Sequence, residues 1–96
     1  MDDALPLLVF FSSSRSGPAR RMESLVAHIA RKERGRLRVI QVDVDDRRDL
    51  ADRFKIGDAP ALVLVKAKRS VARIEGRVSA PRIEAMLAEH LAPVPA

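Results

Sequence analysis

Near the start of the chain, Leu5-Pro6-Leu7-Leu8-Val9-Phe10-Phe11 forms a nearly unbroken apolar run. A run of this length that does not alternate suits a strand covered on both faces. Such a strand lies inside a sheet and needs a layer of structure above it and another below. The 96 residues of the chain supply one core of that kind and leave no room for a second. The expectation is therefore a single domain over 1–96, with its core between about residues 5 and 91. Three Phe with no Trp or Tyr make that core aliphatic.

The rest of the chain supplies the covering layers. Ser12-Ser13-Ser14-Arg15-Ser16-Gly17 breaks the apolar run and reads as a solvated loop. Pro18 suits a first helical turn, where its missing N–H costs nothing. Met22, Leu25, Val26, Ile29 and Ala30 follow at helical spacing. Arg31, Lys32 and Arg34 crowd the last turn and favour the helix dipole, and Gly35 supplies the stop. Leu37 to Val44 reads as a second strand. Asp45 and Asp46 are placed to cap a short helix on which Leu50, Ala51 and Phe54 share a face, ended by Ile56-Gly57. Ala61 to Val65 and Val71 to Glu75 are strands, and Ala67 to Ser70 is short enough for a hairpin, though it lacks an Asn-Gly or Asp-Gly signal. Ser79 is placed as the N-cap of a last helix striped by Ile83, Met86, Leu87 and Leu91, with Ala92 to Ala96 as a frayed tail. The order is β-α-β-α-β-β-α, an α/β domain with a parallel right-handed first half and an antiparallel hairpin in the second.

Composition removes several chemistries. There is no cysteine, so disulfides, thiolate catalysis, iron–sulfur clusters and cysteine-based zinc sites are excluded. His28 and His90 have no paired ligand spacing, and no metal or cofactor is expected. No stretch approaches the roughly 18–20 apolar residues of a membrane span. Met1-Asp2-Asp3 is acidic where a targeting segment would be basic, so the expected location is cytoplasmic. Lys and Arg total 18 against 13 Asp and Glu, a net charge of +5.

The element order, the Ser16-Gly17-Pro18-Ala19 entrance to the first helix and the Asp58-Ala59-Pro60-Ala61 segment before the third strand together resemble the thioredoxin family. Val42-Asp43-Val44-Asp45 and Gly76 fit the same pattern. The resemblance covers about residues 5–91 and lacks the extra N-terminal strand and helix of thioredoxin itself. It implies a thioredoxin-like four-stranded mixed sheet flanked by helices, with a cis peptide ahead of Pro60 facing the Ser16–Ala19 turn. Family members carry Cys-Gly-Pro-Cys at that turn. The first cysteine attacks as a thiolate favoured by the helix N-terminus, and the second resolves the mixed disulfide. Here Ser16 and Ala19 stand in those places. Phe10 aligns with the family's buried Asp, Gln41 with its lysine partner, and Ser12 and Arg15 with its flanking tryptophans. Replacing the sulfurs alone would not also remove those four residues, so the expectation is a naturally redox-inactive domain. The competing reading is an oxidoreductase whose cysteines were substituted at 16 and 19.

What remains is a binding site in expectation. The resemblance implies that an extended protein or peptide segment docks on the backbone beside Pro60, through Ala59, and across Arg15, Ser16, Gly17, Pro18 and Ala19. Arg15 would add selectivity for acidic partners. Ser14, Ser16, Arg20 and Arg21, with Ser13 beside them, are candidates to hold a small anion at the helix start; the plainer reading makes Ser16 only a cap. Arg31 to Arg38 is basic, but no Tyr or Trp is available for base stacking, so nucleic acid is not expected. Asp43, Asp45 and Asp46 suggest a helix cap before a magnesium site. The function read from the sequence is a thioredoxin-like protein-binding module, not an enzyme.

Overall fold

The computed structural model describes residues 5–91. The tail at 92–96 and the acidic opening at 1–3 lie outside the described residues. The elements follow the expected order: β1 (Leu7–Ser12), α1 (Gly17–Lys32), β2 (Arg38–Asp43), α2 (Arg48–Arg53), β3 (Ala61–Lys66), β4 (Arg69–Glu75) and α3 (Ala80–His90). The sheet order is β2-β1-β3-β4, with β1 parallel to β2 and the other pairs antiparallel.

The two faces of β1 explain the layers. Leu8 and Phe10 point to one side, where they pack with Met22, Val26 and Ile29 of α1 and Ile83, Met86 and Leu87 of α3. Val9 and Phe11 point to the other, against Val42, Ala51, Ile56 and Val63. Phe10 and Phe11 are both fully buried, and Phe11 meets the ring of Phe54 with centroids 5.7 Å apart. The apolar run is continuous because both alternating sets of its side chains are inside. Lys32 and Glu84 tie α1 to α3 at 2.8 Å. The hydrogen bond from Lys32, with its charge, holds the Glu84 carboxyl below its ordinary range. The pair is exposed and contributes little to stability.

Several boundaries differ from the sequence reading. β1 starts at Leu7, two residues later than expected, because Pro6 cannot donate to a ladder. It ends at Ser12, which is buried with Ser13, so this part of the expected loop is interior. β2 is shorter at both ends: the Leu37 N–H closes a turn on the Glu33 carbonyl, and Val44 lies beyond the strand. Neither Asp45 nor Asp46 caps α2. The N-cap position is Arg47, which makes no side-chain cap bond, and the Asp45 carboxylate instead accepts a hydrogen bond from Ser13. Ser79 occupies the N-cap position of α3 without a side-chain cap bond.

The end of α2 is set by Lys55 rather than by Ile56-Gly57. Lys55 has φ 59, its N–H bonds to the Asp52 carbonyl, and the Ile56 N–H bonds to the Ala51 carbonyl. These are the two reciprocal bonds of a Schellman motif, with lysine where glycine is usual. Arg73 of β4 completes the cap by donating to the carbonyls of Phe54 and Lys55 at 3.0 and 3.1 Å. The β3–β4 turn is likewise tighter than expected. Lys66 pairs with Arg69, and the two residues between them, Ala67 and Lys68, have φ 53 and 65. Both central residues are left-handed, as a type I′ hairpin turn requires, without an Asn or Gly to adopt that conformation cheaply.

Each left-handed lysine carries a conformational penalty that glycine avoids. Lys55→Gly and Lys68→Gly are each expected to stabilise the fold by about 0.5–1 kcal/mol. In thermal unfolding this appears as a rise of roughly 3–6 °C in Tm per substitution. Unchanged or lowered midpoints would show that the lysine side chains contribute more than their backbone strain costs.

Candidate functional site

The site is built where β1 runs into α1. Phe11 of β1 is paired with Ala61 of β3, so Ser12 and Pro60 lie next to each other just beyond that pair. The Ser13–Ser16 loop and the Ala59–Pro60 segment therefore leave the same end of the sheet. The Ala59–Pro60 peptide is cis. Pro60 is buried and Ala59 half-buried. The Pro60 carbonyl accepts the Gly76 N–H at 2.8 Å. The N–H and C=O of Ala59 have no hydrogen-bond partner among the described residues.

Ser16 is the N-cap of α1, with extended backbone (φ −105, ψ 115), and its Oγ accepts from the Ala19 N–H at 3.1 Å. The Arg20 N–H bonds to the Ser16 carbonyl at 3.0 Å. Pro18 has no N–H, so Gly17 carries the one first-turn amide left unpaired among the described residues. Ala19 is fully buried. Arg15 is exposed, and its guanidinium has no partner within the described chain.

Two polar networks anchor this corner. On the α1 side, Gln41 Nε2 donates to Ser12 Oγ at 3.0 Å and to Glu23 Oε2 at 3.1 Å. On the α2 side, Ser13 Oγ donates to Asp45 Oδ2 at 2.8 Å and accepts from the Arg15 N–H at 3.1 Å. The Asp45 N–H in turn donates to Asp43 Oδ1 at 2.7 Å. The buried serine hydroxyls are thus satisfied. The sequence carried a signal for them that the loop reading missed. The two-residue period of β1 runs on past the apolar run, with Leu8, Phe10 and Ser12 on one face and Val9, Phe11 and Ser13 on the other.

The proposed anion residues are divided between two hollows. Arg20 and Arg21 line one of about 340 Å³ with Gly17 and Glu23. Ser14 lines a shallow cleft of about 460 Å³ with Ser12, Glu23, Gln41, Asp43, Asp46 and Arg47, among others. Ser16 lines neither and spends an acceptor position on its own helix. Glu23 lines both hollows, and their surroundings differ in charge beyond it. The first turn of α1 holds no acidic residue, whereas the β2 exit holds three aspartates. Among the described residues no group of three or more His, Asp or Glu converges to hold a metal ion. None of the described helices is long and apolar enough to cross a membrane. His28 is exposed on α1, and the His90 carbonyl accepts from Lys66 Nζ at 2.8 Å.

The positions that the resemblance assigns to thioredoxin chemistry are therefore side by side and differently filled. The nucleophile position holds a capping hydroxyl, the resolving position a buried methyl group. Phe10, at the place of the buried Asp, is embedded among Leu8, Met22 and Leu62 in the α1-side core. Gln41 and Ser12, at the lysine and tryptophan positions, bond to each other.

Comparison with known proteins agrees with this geometry. A family model described as Thioredoxin matches residues 1–89. Thioredoxin 1 of Nostoc sp. is 29% identical over 91 residues, spanning 95% of this chain and 85% of that protein. Thioredoxin-1 of Drosophila melanogaster is 35% identical over 75 residues, 78% of this chain and 69% of that one. The crystal structure of a Nicotiana alata thioredoxin superposes with a TM-score of 0.87 at 24% identity, covering 93% of this chain and 76% of that one. A Fasciola hepatica thioredoxin does so with 0.86 at 21%, covering 93% and 85%. At those identities the structural likeness speaks for the fold. With the family model spanning nearly the whole sequence, the chain belongs to the thioredoxin family.

Proposed function

We propose that this chain is a thioredoxin-fold binding module that docks an extended, acidic protein segment and does not exchange disulfides. The observation that carries the reading is the unpartnered N–H and C=O of Ala59, at the same end of the sheet as the Ser16–Ala19 turn. A free donor and acceptor on one residue at the end of a sheet can take an extended backbone as an added strand, whatever the side chain. Arg15, Arg20 and Arg21 are exposed and have no carboxylate partner among the described residues. They supply the charge that favours an acidic segment over a neutral one. Disulfide exchange lacks its reagents, because the chain holds no sulfur nucleophile. A serine hydroxyl without an adjacent base stays protonated near neutral pH.

The binding reading is tested by titrating an extended peptide rich in Asp and Glu and following backbone amide shifts. The signals of Arg15 to Ala19 and of Ala59 are expected to move together. Arg15→Glu is expected to weaken the interaction about five- to tenfold, and raised salt to weaken it further. Amides that stay still at millimolar peptide would overturn the proposal. A parallel titration with inorganic phosphate separates a simple anion site from a peptide site. Shifts confined to Gly17, Arg20 and Arg21 would indicate the anion alone.

The oxidoreductase reading is tested by putting the sulfurs back. Because the Oγ of Ser16 already accepts a helix N–H, a thiol there sits where a thiolate is stabilised. Ser16→Cys is expected to titrate at least about one unit below the usual 8.5, measured by thiolate absorbance against pH. With Ala19→Cys as well, disulfide reduction is expected to be slow, because Phe10 offers no proton-carrying group. Rapid turnover by the double variant would favour a substituted oxidoreductase over a binding module.

A further inference from the structure

The sheet ends on one side at β2, and among the described residues nothing pairs with its outer edge. The direction of its backbone groups follows from the ladder. The Arg38 N–H donates inward to the Pro6 carbonyl, so Arg38, Ile40 and Val42 turn their polar backbone groups toward β1. Val39 and Gln41 turn theirs outward. Edge strands are usually blunted by a bulge, a proline, or a charge in mid-strand. β2 has none of these: its middle is Val39-Ile40-Gln41-Val42, and its register with β1 runs unbroken over six residues. Ile40, at its centre, is 40% exposed and is one of only two large apolar side chains so exposed among the described residues. The opposite edge is protected. β4 carries the charge of Arg73 within the strand, and its pairing with β3 is broken by a register shift at Leu64/Val65.

We infer that β2 pairs antiparallel with β2 of a second copy of this chain, joining two four-stranded sheets into one across a two-fold axis at Ile40. The choice of partner rests on self-complementarity. A two-fold axis perpendicular to the sheet keeps each side chain on its own face, and with Ile40 on the axis Val39 of each copy stands opposite Gln41 of the other. Those are the two residues of β2 whose outward N–H and C=O are both unpartnered, the Asp43 carbonyl being taken by the Asp46 and Arg47 N–H groups, so this register satisfies all four pairs of free groups at once. The exposed Ile40 side chains then meet in a non-hydrogen-bonded pair, where side chains approach most closely. Charge favours the same direction. β2 is entered through Arg34 and Arg38 and left through Asp43 and Asp46. Antiparallel pairing sets the basic entrance of each copy beside the acidic exit of the other, whereas parallel pairing would set like beside like. The interface is small and of the class that forms weak, reversible dimers.

The absence of cysteine gives a clean test, since any single cysteine introduced is the only thiol. Ile40→Cys is expected to form a disulfide-linked dimer on mild oxidation. The α-carbons of a non-hydrogen-bonded antiparallel pair lie about 4.5 Å apart, within the range a disulfide spans. Val71→Cys, equally exposed at 39% on the β4 edge, is the control. The position 40 variant is expected to cross-link at least about tenfold faster at equal concentration, because association raises the effective thiol concentration. Sedimentation of the unmodified chain from micromolar to millimolar concentration is expected to show a monomer–dimer equilibrium. Ile40→Lys is expected to abolish that equilibrium while keeping the helical circular dichroism signal. Equal cross-linking at 40 and 71 would overturn the inference, as would a monomer at every concentration. So would a chain that stays monomeric while its Val39 and Gln41 amides shift on adding an extended peptide.

Discussion

Burial of β1 on both faces is the constraint on which the rest of this structure depends. Its alternating side chains feed two separate cores. The α1–α3 side takes Leu8 and Phe10, and the α2 side takes Val9 and Phe11. With only three Phe in the chain and two of them adjacent in this strand, a one-residue slip of β1 would send Phe10 and Phe11 to each other's core. The same alternation carries Ser12 and Ser13 inside at the strand's end. The first residues of the candidate site are thus placed by hydrophobic register, and their hydroxyls are then fixed by Gln41 on one side and Asp45 on the other.

That dependence explains how the corner keeps its form without sulfur chemistry. In a redox thioredoxin the resemblance assigns these positions to reactive groups. Here each is used for structure. Ser16 caps a helix, Ala19 fills a buried space, Phe10 packs a core, and Gln41 bridges Ser12 to Glu23. A buried Asp in place of Phe10 would need a partner for its charge, and neither Gln41 nor Ser12 carries a positive charge. The four replacements are mutually consistent, since each removes a group that another would have had to neutralise or activate.

Much of the fold was legible in the sequence because its signals are local and redundant. α1 has a cap, a proline, a helical stripe and a basic last turn that all agree, and the structure starts and ends it within a few residues of that reading. The features that were not legible have tertiary causes. Asp45 stands at a good spacing for a cap, but the Ser13 hydroxyl, 32 residues away in sequence, holds its carboxylate instead. Lys55 and Lys68 occupy left-handed positions that sequence patterns assign to Gly or Asn, and the Lys55 position is supported by Arg73 reaching across from β4. The candidate anion residues looked like one group because they are close along the chain. The turn into α1 sends Ser14 toward the β2 exit and Arg20 and Arg21 toward the Gly17 side.

The hydrogen bonds at the start of α1 also bear on which ligand suits it. Helix N-termini that hold a free phosphate present several unpaired amides to it. This one presents the Gly17 N–H, because Pro18 has none, Ser16 Oγ takes that of Ala19 and the Ser16 carbonyl takes that of Arg20. An anion would therefore depend on flexible guanidinium groups, each of which loses side-chain entropy on binding. A small anion must meet that cost from its own few contacts. A carboxylate carried on a segment already held at Ala59 meets it at a raised effective concentration, so the same arginines act more strongly on a tethered charge than on a free one. On the binding reading, the backbone edge at Ala59 supplies the affinity, and the arginines beside the Ser16 turn select among the segments that reach it.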